Sequence, residues 1–332
     1  MDPLIFEPYL RPQVWGGRRL AELHKRLPDH ATYGESWEIS SHPLHVSTVC
    51  EGEFAGKSLN ELWMGMPQQI CGELAPSSDR FPLLFKYLEA KELLSVQVHP
   101  TDDLARSLIG NESGKTEAWI ILDAEPTGRV FAGLKPGVDR ELFSRRMDDG
   151  TVAECLHSFH PQPGDCIFLP AGTVHAVGGG VLFAEVQQTS DATFRLFDWN
   201  RLGTDGKPRQ LHKEAGLQSI DWSRGPVQPV QGKPLPEMSS GSRGTSLVQC
   251  EYFEMTSLQV DRQLSLAPTR GFQVWMVLAG EAELRRPQSG YVRHFERGET
   301  VLIPAACGEI MWINKSVGGH VSLLRVTVPD PS

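Results

Sequence analysis

The sequence predicts a mainly β protein that contains two β-barrels and a few short peripheral helices. Short segments rich in Val, Ile, Phe, Leu and Trp alternate with Gly, Pro and Asp, a spacing typical of a β-sandwich or barrel. Examples are LLSVQVH, EAWIIL, CIFLP and VLFAEVQQ. Parts of this pattern recur later in the chain in the same order, which indicates two copies of one β unit.

The repeat is visible in two blocks. PGDCIFLPAGTVH at 163–175 is similar to RGETVLIPAACGE at 297–309, and TEAWIIL at 116–122 is similar to FQVWMVL at 272–278. In each copy a Gly-Asp or Gly-Glu turn leads into an apolar strand. Each strand ends at a proline, which cannot donate to a further ladder hydrogen bond.

The two copies differ at polar positions. Glu117 aligns with Gln273, His175 aligns with Glu309, and the second copy has no histidine that corresponds to His99. We therefore expect the first barrel to keep metal chemistry and the second barrel to have lost it.

Helical patterning is sparse and is confined to short apolar-spaced runs near residues 18–27, 58–65, 102–109, 138–148 and 211–219. A stretch rich in Pro, Gly, Ser and Gln follows the last of these runs, and such a composition cannot supply a packed core. The sequence thus predicts three parts: a catalytic domain with the small helices at 1–225, a linker at 226–245 and a second domain at 246–332.

Composition limits the classes of function. The chain has 332 residues, of which 40% are hydrophobic and 22% charged, and this is enough for about two globular domains. A formal charge of −9 argues against nucleic-acid binding, so a few placed cations must meet any anionic ligand. The six cysteines form no Cys-x-x-Cys pair, so we expect reduced thiols.

The amino-terminal segment MDPLIFEPYLRPQVWGG lacks the features of a signal peptide, and no later stretch approaches bilayer-spanning length. We therefore expect a cytoplasmic protein without membrane contacts.

Four polar residues form a candidate metal site. Strand alternation places Gln97 and His99 on one face of a predicted strand. Glu117 begins the next apolar strand, and His175 ends the PGDxxxxPxGxxH stretch. Nitrogen and oxygen ligands of this kind suit zinc first, with manganese, iron or cobalt as alternatives, and an open position would make the site catalytic. A lone histidine is more often structural, so the prediction rests on the complete set.

Three longer blocks resemble the signature blocks of the type I phosphomannose isomerases, which belong to the cupin superfamily. They are PLLFKYLEAKELLSVQVHPTDD at 82–103, GKTEAWIIL at 114–122 and PAGTVHAVGGGVLFAEVQQTSDATFRLFDWNR at 170–201. Supporting blocks are VWGGRRL at 14–20 and GESWEIS at 34–40. The resemblance runs from near residue 14 to about residue 215. The length resembles the short bacterial members, and the C-terminal part resembles a degenerate cupin.

The resemblance implies two jelly-roll barrels of the cupin type and the interconversion of mannose 6-phosphate and fructose 6-phosphate. It also implies one zinc per chain, held by the family's Gln, His, Glu and His, which fall on Gln97, His99, Glu117 and His175. The family's catalytic arginine falls on Arg195, and its acidic pocket residues fall on Glu185 and Asp191. Arg201 lies where longer members carry a lysine.

Isomerisation of this kind needs a base, a cation for the developing oxyanion and an anchor for the phosphate. We assign Arg195 to the oxyanion because arginine is always charged. Glu185 and a metal-held water both remain candidates for the base. The candidates for phosphate binding are Lys86, Ser95, Lys115 and Arg201, although single lysines are usually solvated. Trp15 and Trp37 could line the sugar pocket, or belong to the core.

Other functions stay open at this level: a non-catalytic sugar-binding or regulatory bicupin, an iron oxygenase, and an isomerase for another aldose. A mixed Gln, His and Glu ligand set makes the oxygenase the weakest of these. The sequence shows no macromolecular partner, and we expect a monomer or a weak homo-oligomer that acts on a small sugar phosphate.

Overall fold

The structure is a computed structural model that describes residues 1–28, 30–73, 79–203, 206–236, 238 and 241–329. The strands of the N-terminal half are, in chain order, β1 (Tyr9–Gly17), β2 (Tyr33–Ile39), β3 (Ser41–His42), β4 (His45–Val46), β5 (Leu83–Ala90), β6 (Val96–Val98), β7 (Glu117–Ala124), β8 (Arg129–Leu134), β9 (Leu156–Phe159), β10 (Cys166–Leu169), β11 (His175–Gly178), β12 (Val181–Gln188) and β13 (Phe194–Phe197). Those of the C-terminal half are β14 (Lys233–Pro234), β15 (Arg243–Gln249), β16 (Glu254–Val260), β17 (Gln263–Leu266), β18 (Gln273–Ala279), β19 (Glu281–Arg286), β20 (Tyr291–Glu296), β21 (Thr300–Ile303), β22 (Ile310–Asn314) and β23 (Val321–Thr327).

The helices are short. The α-helices are α1 (Leu59–Gly65), α2 (Pro67–Cys71), α3 (Asp102–Leu108), α4 (Arg140–Asp148) and α5 (Lys213–Ser219), and short 3₁₀ helices cover Arg19–Leu23, Val152–Cys155 and Ala305–Cys307. The predicted mainly β class with a few short helices is confirmed. Each predicted helical run contains one of these helices, and the first is the 3₁₀ helix. None of the helices in the described ranges combines the length and the apolar character that a membrane span requires.

Each half contains one large and one smaller antiparallel sheet. In the N-terminal half the strand orders are β1-β2-β5-β12-β7-β10 and β13-β6-β11-β8-β9, and in the C-terminal half they are β14-β15-β16-β23-β18-β21 and β17-β22-β19-β20. The repeat seen in the sequence is therefore a repeat of strand pairing. β7 lies between β12 and β10 just as β18 lies between β23 and β21, and Glu117 faces Leu169 where Gln273 faces Ile303. Closure of each half into a barrel stays a prediction.

The large N-terminal sheet is buried on both faces, and strand alternation assigns a different role to each face. On β7, Trp119 and Ile121 point into the core between the two sheets of the same half. Their neighbours Ala118 and Ile120 join a cluster that also contains Phe272 of the C-terminal half. The inner face of this sheet carries the polar residues described below, and its outer face is part of the contact between the halves.

The segment at 226–245, predicted to be a linker, forms backbone hydrogen bonds to strands of the N-terminal half. The Val227 amide donates to the Ala132 carbonyl at 3.1 Å, and the Val230 amide donates to the Cys166 carbonyl at 2.7 Å. Strand β14 and the start of β15 also lie within it. Positions 237, 239 and 240 of this segment, and positions 330–332 of the predicted second domain, lie outside the described residues. The proposed domain boundaries stay a prediction.

Candidate active site

The predicted metal ligands come from three strands that meet at one end of the N-terminal half. Gln97 lies on β6 and is the direct register partner of His175, the first residue of β11. Glu117 is the first residue of β7, and His99 follows β6. On β6, Val96 and Val98 face a hydrophobic cluster, so alternation turns Gln97 to the opposite face.

The ligand atoms of the two histidines and the glutamate lie within 4.8 Å of one another, and all three residues are buried. His99 Nε2 is 3.4 Å from Glu117 Oε2, and His175 Nε2 is 3.3 Å from Glu117 Oε1. The Gln97 amide nitrogen is 3.2 Å from His175 Nε2. A half-turn of that amide exchanges nitrogen for oxygen, so Gln97 can present an acceptor at the same place.

Backbone carbonyls fix the orientation of both imidazole rings. His99 Nδ1 lies 2.8 Å from the Ala192 carbonyl, and His175 Nδ1 lies 2.9 Å from the Thr173 carbonyl. A carbonyl can only accept, so each Nδ1 carries the proton and each Nε2 offers a lone pair. Burial, together with the Lys115 charge, lowers the pKa of His99 to about 3, and burial lowers the pKa of His175. Both rings are therefore neutral, the form that binds a metal.

Glu117 is a buried, ionised carboxylate. Burial alone would raise its pKa, but the charge of the Lys115 ammonium outweighs burial and holds the pKa well below the ordinary range. Lys115 Nζ lies 2.8 Å from Glu117 Oε2. Apart from this ion pair on Oε2, neither Glu117 oxygen nor His99 Nε2 has a hydrogen-bond partner among the described residues. Buried polar atoms are rarely left unsatisfied, and a divalent metal would satisfy all three, so these residues fit a metal ion.

A cavity of about 290 Å³ opens beside this cluster, near the lower end of small-molecule pockets, which are roughly 300–1,000 Å³. Its lining is mostly polar, and the lining residues that were predicted from the sequence are Lys86, Ser95, Gln97, Lys115, Glu185, Asp191, Arg195 and Trp15. Further polar lining residues that sequence reasoning did not find are Arg11, Gln13, Glu35, Thr193 and Arg209.

Lys86 lies between two buried carboxylates on the inner face of the large sheet. Its ammonium is 3.1 Å from Glu185 Oε1 and 3.6 Å from Glu35 Oε2. The two carboxylates respond differently. Burial is the main reason that the pKa of Glu185 is raised, whereas for Glu35 the charges of Lys86 and Arg11 outweigh burial and lower the pKa. Glu185 also accepts a hydrogen bond of 2.9 Å from the Trp119 indole.

Arg195 lies on β13 and is held by the segment that follows Arg209. Its guanidinium donates to the Gln210 carbonyl at 2.9 Å, and its backbone amide donates to His212 Nδ1 at 3.2 Å. The His212 amide in turn donates a hydrogen bond of 2.7 Å to the Arg195 carbonyl. Burial and the charge of Arg209 lower the pKa of Arg195. This guanidinium lies in a region of uncompensated positive charge, which favours an anionic ligand.

Arg201, a predicted phosphate contact, lies outside the lining of the cavity. Its guanidinium donates to the Leu93 carbonyl and, at 2.7 Å, to Asp198 Oδ1. Arg209 binds the same carboxylate from the other side, with its Nε 2.7 Å from Asp198 Oδ2, and lines the cavity. The chain therefore turns back after Arg201 and presents a different arginine to the site.

Some residues that the sequence analysis missed did leave a signal. Glu35 stands two residues before Trp37 on β2, so alternation places both on the inner face. On β1, Gln13 stands two residues before Trp15, and Arg11 stands two residues before Gln13. Trp37 itself is fully buried, and the Arg11 guanidinium, which lines the cavity, lies 4.7 Å from the centre of its ring. Trp15 lines the cavity and also belongs to a hydrophobic core cluster, so both predicted possibilities apply to it.

Comparison with known proteins agrees with this geometry. Residues 5–117 match the family model described as the catalytic domain of type I phosphomannose isomerase. The chain is 35% identical over 308 residues to the mannose-6-phosphate isomerase ManA of Bacillus subtilis. The match covers 93% of this chain and 95% of that relative. It is 31% identical to the mannose-6-phosphate isomerase of Streptococcus mutans, with 91% of this chain and 92% of that relative covered.

Solved structures show the same fold over nearly the whole length. The crystal structure of the Bacillus subtilis mannose 6-phosphate isomerase superposes with a TM-score of 0.89 at 28% identity, covering 99% of this chain and 100% of that one. A mutant phosphomannose isomerase from Salmonella typhimurium superposes with a TM-score of 0.77 at 16% identity, with 99% and 100% covered, which shows the fold alone. The metal dependence typical of this family is consistent with the His99, Glu117 and His175 cluster. The chain belongs to the type I phosphomannose isomerase family.

Proposed function

We propose that this chain interconverts mannose 6-phosphate and fructose 6-phosphate, an aldose–ketose isomerisation. The observation that carries the proposal is the buried cluster of neutral His99, neutral His175 and ionised Glu117 at the side of a polar cavity, in which His99 Nε2 and Glu117 Oε1 have no hydrogen-bond partner among the described residues. The similarity to relatives named mannose-6-phosphate isomerase supports the choice of substrate.

The metal proposed for this cluster is zinc, held by Gln97, His99, Glu117 and His175. Imidazole, carboxylate and amide donors suit zinc, and four protein ligands leave room for one more in an expanded shell. When bound, such an ion supplies a Lewis acid that stabilises negative charge as it develops on the substrate oxygens. The orientation of both rings by backbone carbonyls is the outer support that metal-binding histidines usually have.

Glu185 is the proposed base for proton transfer between the two carbons of the substrate. Its carboxylate lines the cavity, and burial raises its pKa, which makes it a stronger proton acceptor than an ordinary glutamate. Lys86 and Trp119 hold the two carboxylate oxygens at 3.1 Å and 2.9 Å. These contacts fix the direction in which the carboxylate can accept and return a proton.

Arg209 and Arg195 are the proposed partners of the substrate phosphate, so Arg195 is now proposed to bind the phosphate and not the oxyanion, the role that the sequence analysis gave it. Lys86 and Lys115 each lie within about 3 Å of a buried carboxylate, so most of their charge is already compensated. Asp198 compensates one charge of the group formed by Arg195, Arg201 and Arg209, since its carboxylate is shared by Arg201 and Arg209. This group therefore keeps an excess of positive charge, and a guanidinium suits a phosphate through paired hydrogen bonds.

Replacement of Arg209 by glutamine tests this assignment, with Arg201→Gln as the matched control on the same carboxylate. A charged hydrogen bond is worth about 1.5–3 kcal/mol, so R209Q should raise KM for mannose 6-phosphate by roughly 10- to 100-fold, and R201Q should raise it much less. Both variants are assayed with mannose 6-phosphate and with unphosphorylated mannose. Equal effects of the two substitutions would contradict the assignment, and equal turnover of the free sugar would favour another aldose as substrate.

The cytoplasm is the proposed location, because sugar phosphates are charged metabolites that do not cross membranes unaided. A monomer or a weak homo-oligomer is proposed for the assembly. No nucleic-acid partner is proposed for a chain of formal charge −9.

A further inference from the structure

The loop that leads into the metal cluster is held at three successive backbone amides. Lys115, at the centre of this loop, precedes Glu117 by two residues, so any shift of the loop moves the ammonium and the carboxylate together. The three hydrogen bonds run from Gly114 N to Asp102 Oδ1 at 2.7 Å, from Lys115 N to the Pro100 carbonyl at 3.0 Å, and from Thr116 N to Gln188 Oε1 at 2.9 Å.

The loop packs directly against the start of helix α3. A Cβ atom placed on Gly114 would lie 2.5 Å from the Asp102 nitrogen and 2.6 Å from the Thr101 carbonyl carbon. Such contacts involve backbone that cannot move aside, so only glycine fits. The close packing of Gly114 against the backbone of Thr101 and Asp102 allows the Asp102 carboxylate to reach the Gly114 amide.

Asp102 connects this loop to the C-terminal half of the molecule. Its Oδ1 accepts from Gly114 and, at 3.2 Å, from the Gln188 amide, while its Oδ2 accepts a hydrogen bond of 2.6 Å from the Tyr252 hydroxyl. Tyr252 lies in the turn between β15 and β16. Burial, with hydrogen bonding to Asp102 and Glu251, raises the pKa of Tyr252, so the phenol remains a donor.

We infer that Tyr252 is a positioning residue for the active site, acting through Asp102 on the loop at 114–116 and so on Lys115 and Glu117. The inference rests on the proposed metal site. It gives the C-terminal half, which has lost the ligand set in its own repeat, a hydrogen-bonded connection through Asp102 to the loop that precedes the ligand Glu117. With the hydroxyl removed, Asp102 Oδ2 loses its donor and the carboxylate is free to turn away from Gly114.

The test is Tyr252→Phe, which keeps the ring and removes only the hydroxyl. Supporting residues around metal ligands typically change metal affinity or activity by 10- to 100-fold, and Tyr252 acts one step further out. We therefore expect Y252F to weaken zinc binding by roughly three- to tenfold, measured by competition with a chromogenic chelator. Hydrogen exchange at the Gly114 and Lys115 amides should become faster in the metal-free protein, and kcat should fall with little change in KM.

Tyr87→Phe is the matched control, because the Tyr87 hydroxyl also reaches across the two halves, to the Val277 carbonyl at 3.4 Å, but has no bond to the loop. Y87F should leave zinc affinity, loop exchange and kcat unchanged. If Y252F behaves like Y87F, the inference is wrong, whether or not both variants lose thermal stability.

Asp102→Asn tests the same connection at Asp102, the residue that joins Tyr252 to the loop. D102N should weaken zinc binding and speed loop exchange at least as much as Y252F. The double variant should be no worse than D102N, since Tyr252 acts through Asp102. Additive effects would overturn the inference. Zinc affinity and amide exchange do not depend on isomerase activity, so a wild-type protein without turnover would contradict the proposed function and leave this test intact.

Discussion

Asp198 shows how one carboxylate sets the positions of two arginines, only one of which reaches the cavity. Arg201 and Arg209 both bind it, and Asp198 is 5% exposed. Removing one partner of a buried ion pair costs about 3–5 kcal/mol, and half-buried arginines reduce that cost. We expect Asp198→Asn to lower the free energy of unfolding by roughly 1–3 kcal/mol at pH 7, measured by urea denaturation, and to raise KM because Arg209 is released.

The pH dependence of the same variant has a definite sign. The hydrogen bonds and charges of Arg209 and Arg201 outweigh burial and lower the pKa of Asp198 below its ordinary value of 3.8. A carboxylate with a depressed folded-state pKa stabilises the fold above its unfolded pKa and loses that contribution as the pH falls. The difference between wild type and D198N should therefore be constant from pH 5 to 7 and shrink below pH 3.8. A difference that grows on acidification would contradict this account.

The sequence was most informative for residues fixed by strand alternation or by a motif. Gln97 follows from strand alternation, Lys86, Ser95 and His99 from their places on or beside apolar strands, and Glu185 from the family resemblance. Arg209 could not be found in this way, because it lies after β13, outside the strands, and enters the cavity only where the chain folds back. The position of Arg201 depends on that same turn.

Among single elements, strand β11 depends on the glycine at its end. A Cβ atom on Gly178 would lie 2.4 Å from the Leu93 Cα and 2.5 Å from the Glu92 carbonyl oxygen. Gly178→Ala should therefore destabilise the protein by about 1–3 kcal/mol, the usual cost of overpacking. Gly65→Ala, in open space at the end of α1, should be neutral or stabilising by up to ~1 kcal/mol. Chemical denaturation of both variants checks this, and equal losses would contradict it.

Every α-helix that carries an apolar-spaced run of residues was predicted, whereas α2 was not. Helix α4 follows an apolar periodicity and a capping aspartate, Asp139, whose side chain accepts from the Leu142 amide. Helix α2 has only five residues from Pro67 to Cys71, too few for a periodicity to show. The repeated strands β7 and β18 could be aligned because their own sequences are similar, TEAWIIL and FQVWMVL, and because the later strands β10 and β21 follow similar turns.

At the scale of the whole molecule, the outer faces of the two large sheets pack into one shared core. Phe81 and Phe272, one from each half, are in contact with ring centroids 4.8 Å apart, and both are buried. Phe272→Ala should lower the free energy of unfolding by about 3–5 kcal/mol, and the chain should still unfold in a single transition. Val317→Ala, at a fully exposed site, should change neither the free energy of unfolding nor the single transition. Two separate transitions, followed by circular dichroism and tryptophan fluorescence, would show that the halves are independent.

This shared core is the feature of the whole molecule that the sequence does not reveal. Strands such as β7 are apolar on both faces, which predicts burial without identifying the covering surface. The N-terminal residues add to the contact, since Leu4 and Leu302 exchange backbone hydrogen bonds of 2.8 Å and 3.0 Å. Pairing between distant parts of the chain depends on the complete topology and leaves no local pattern.

The central claim is that the isomerase depends on a metal at His99, Glu117 and His175. The direct measurement is the conversion of mannose 6-phosphate to fructose 6-phosphate in a coupled assay, with protein stripped by a chelator and then reloaded with zinc. We predict that turnover disappears on stripping, returns with zinc, is absent in His99→Ala and is unchanged in His320→Ala, an exposed histidine. Turnover that persists in fully stripped protein, or none with zinc, manganese, iron or cobalt, would contradict the account.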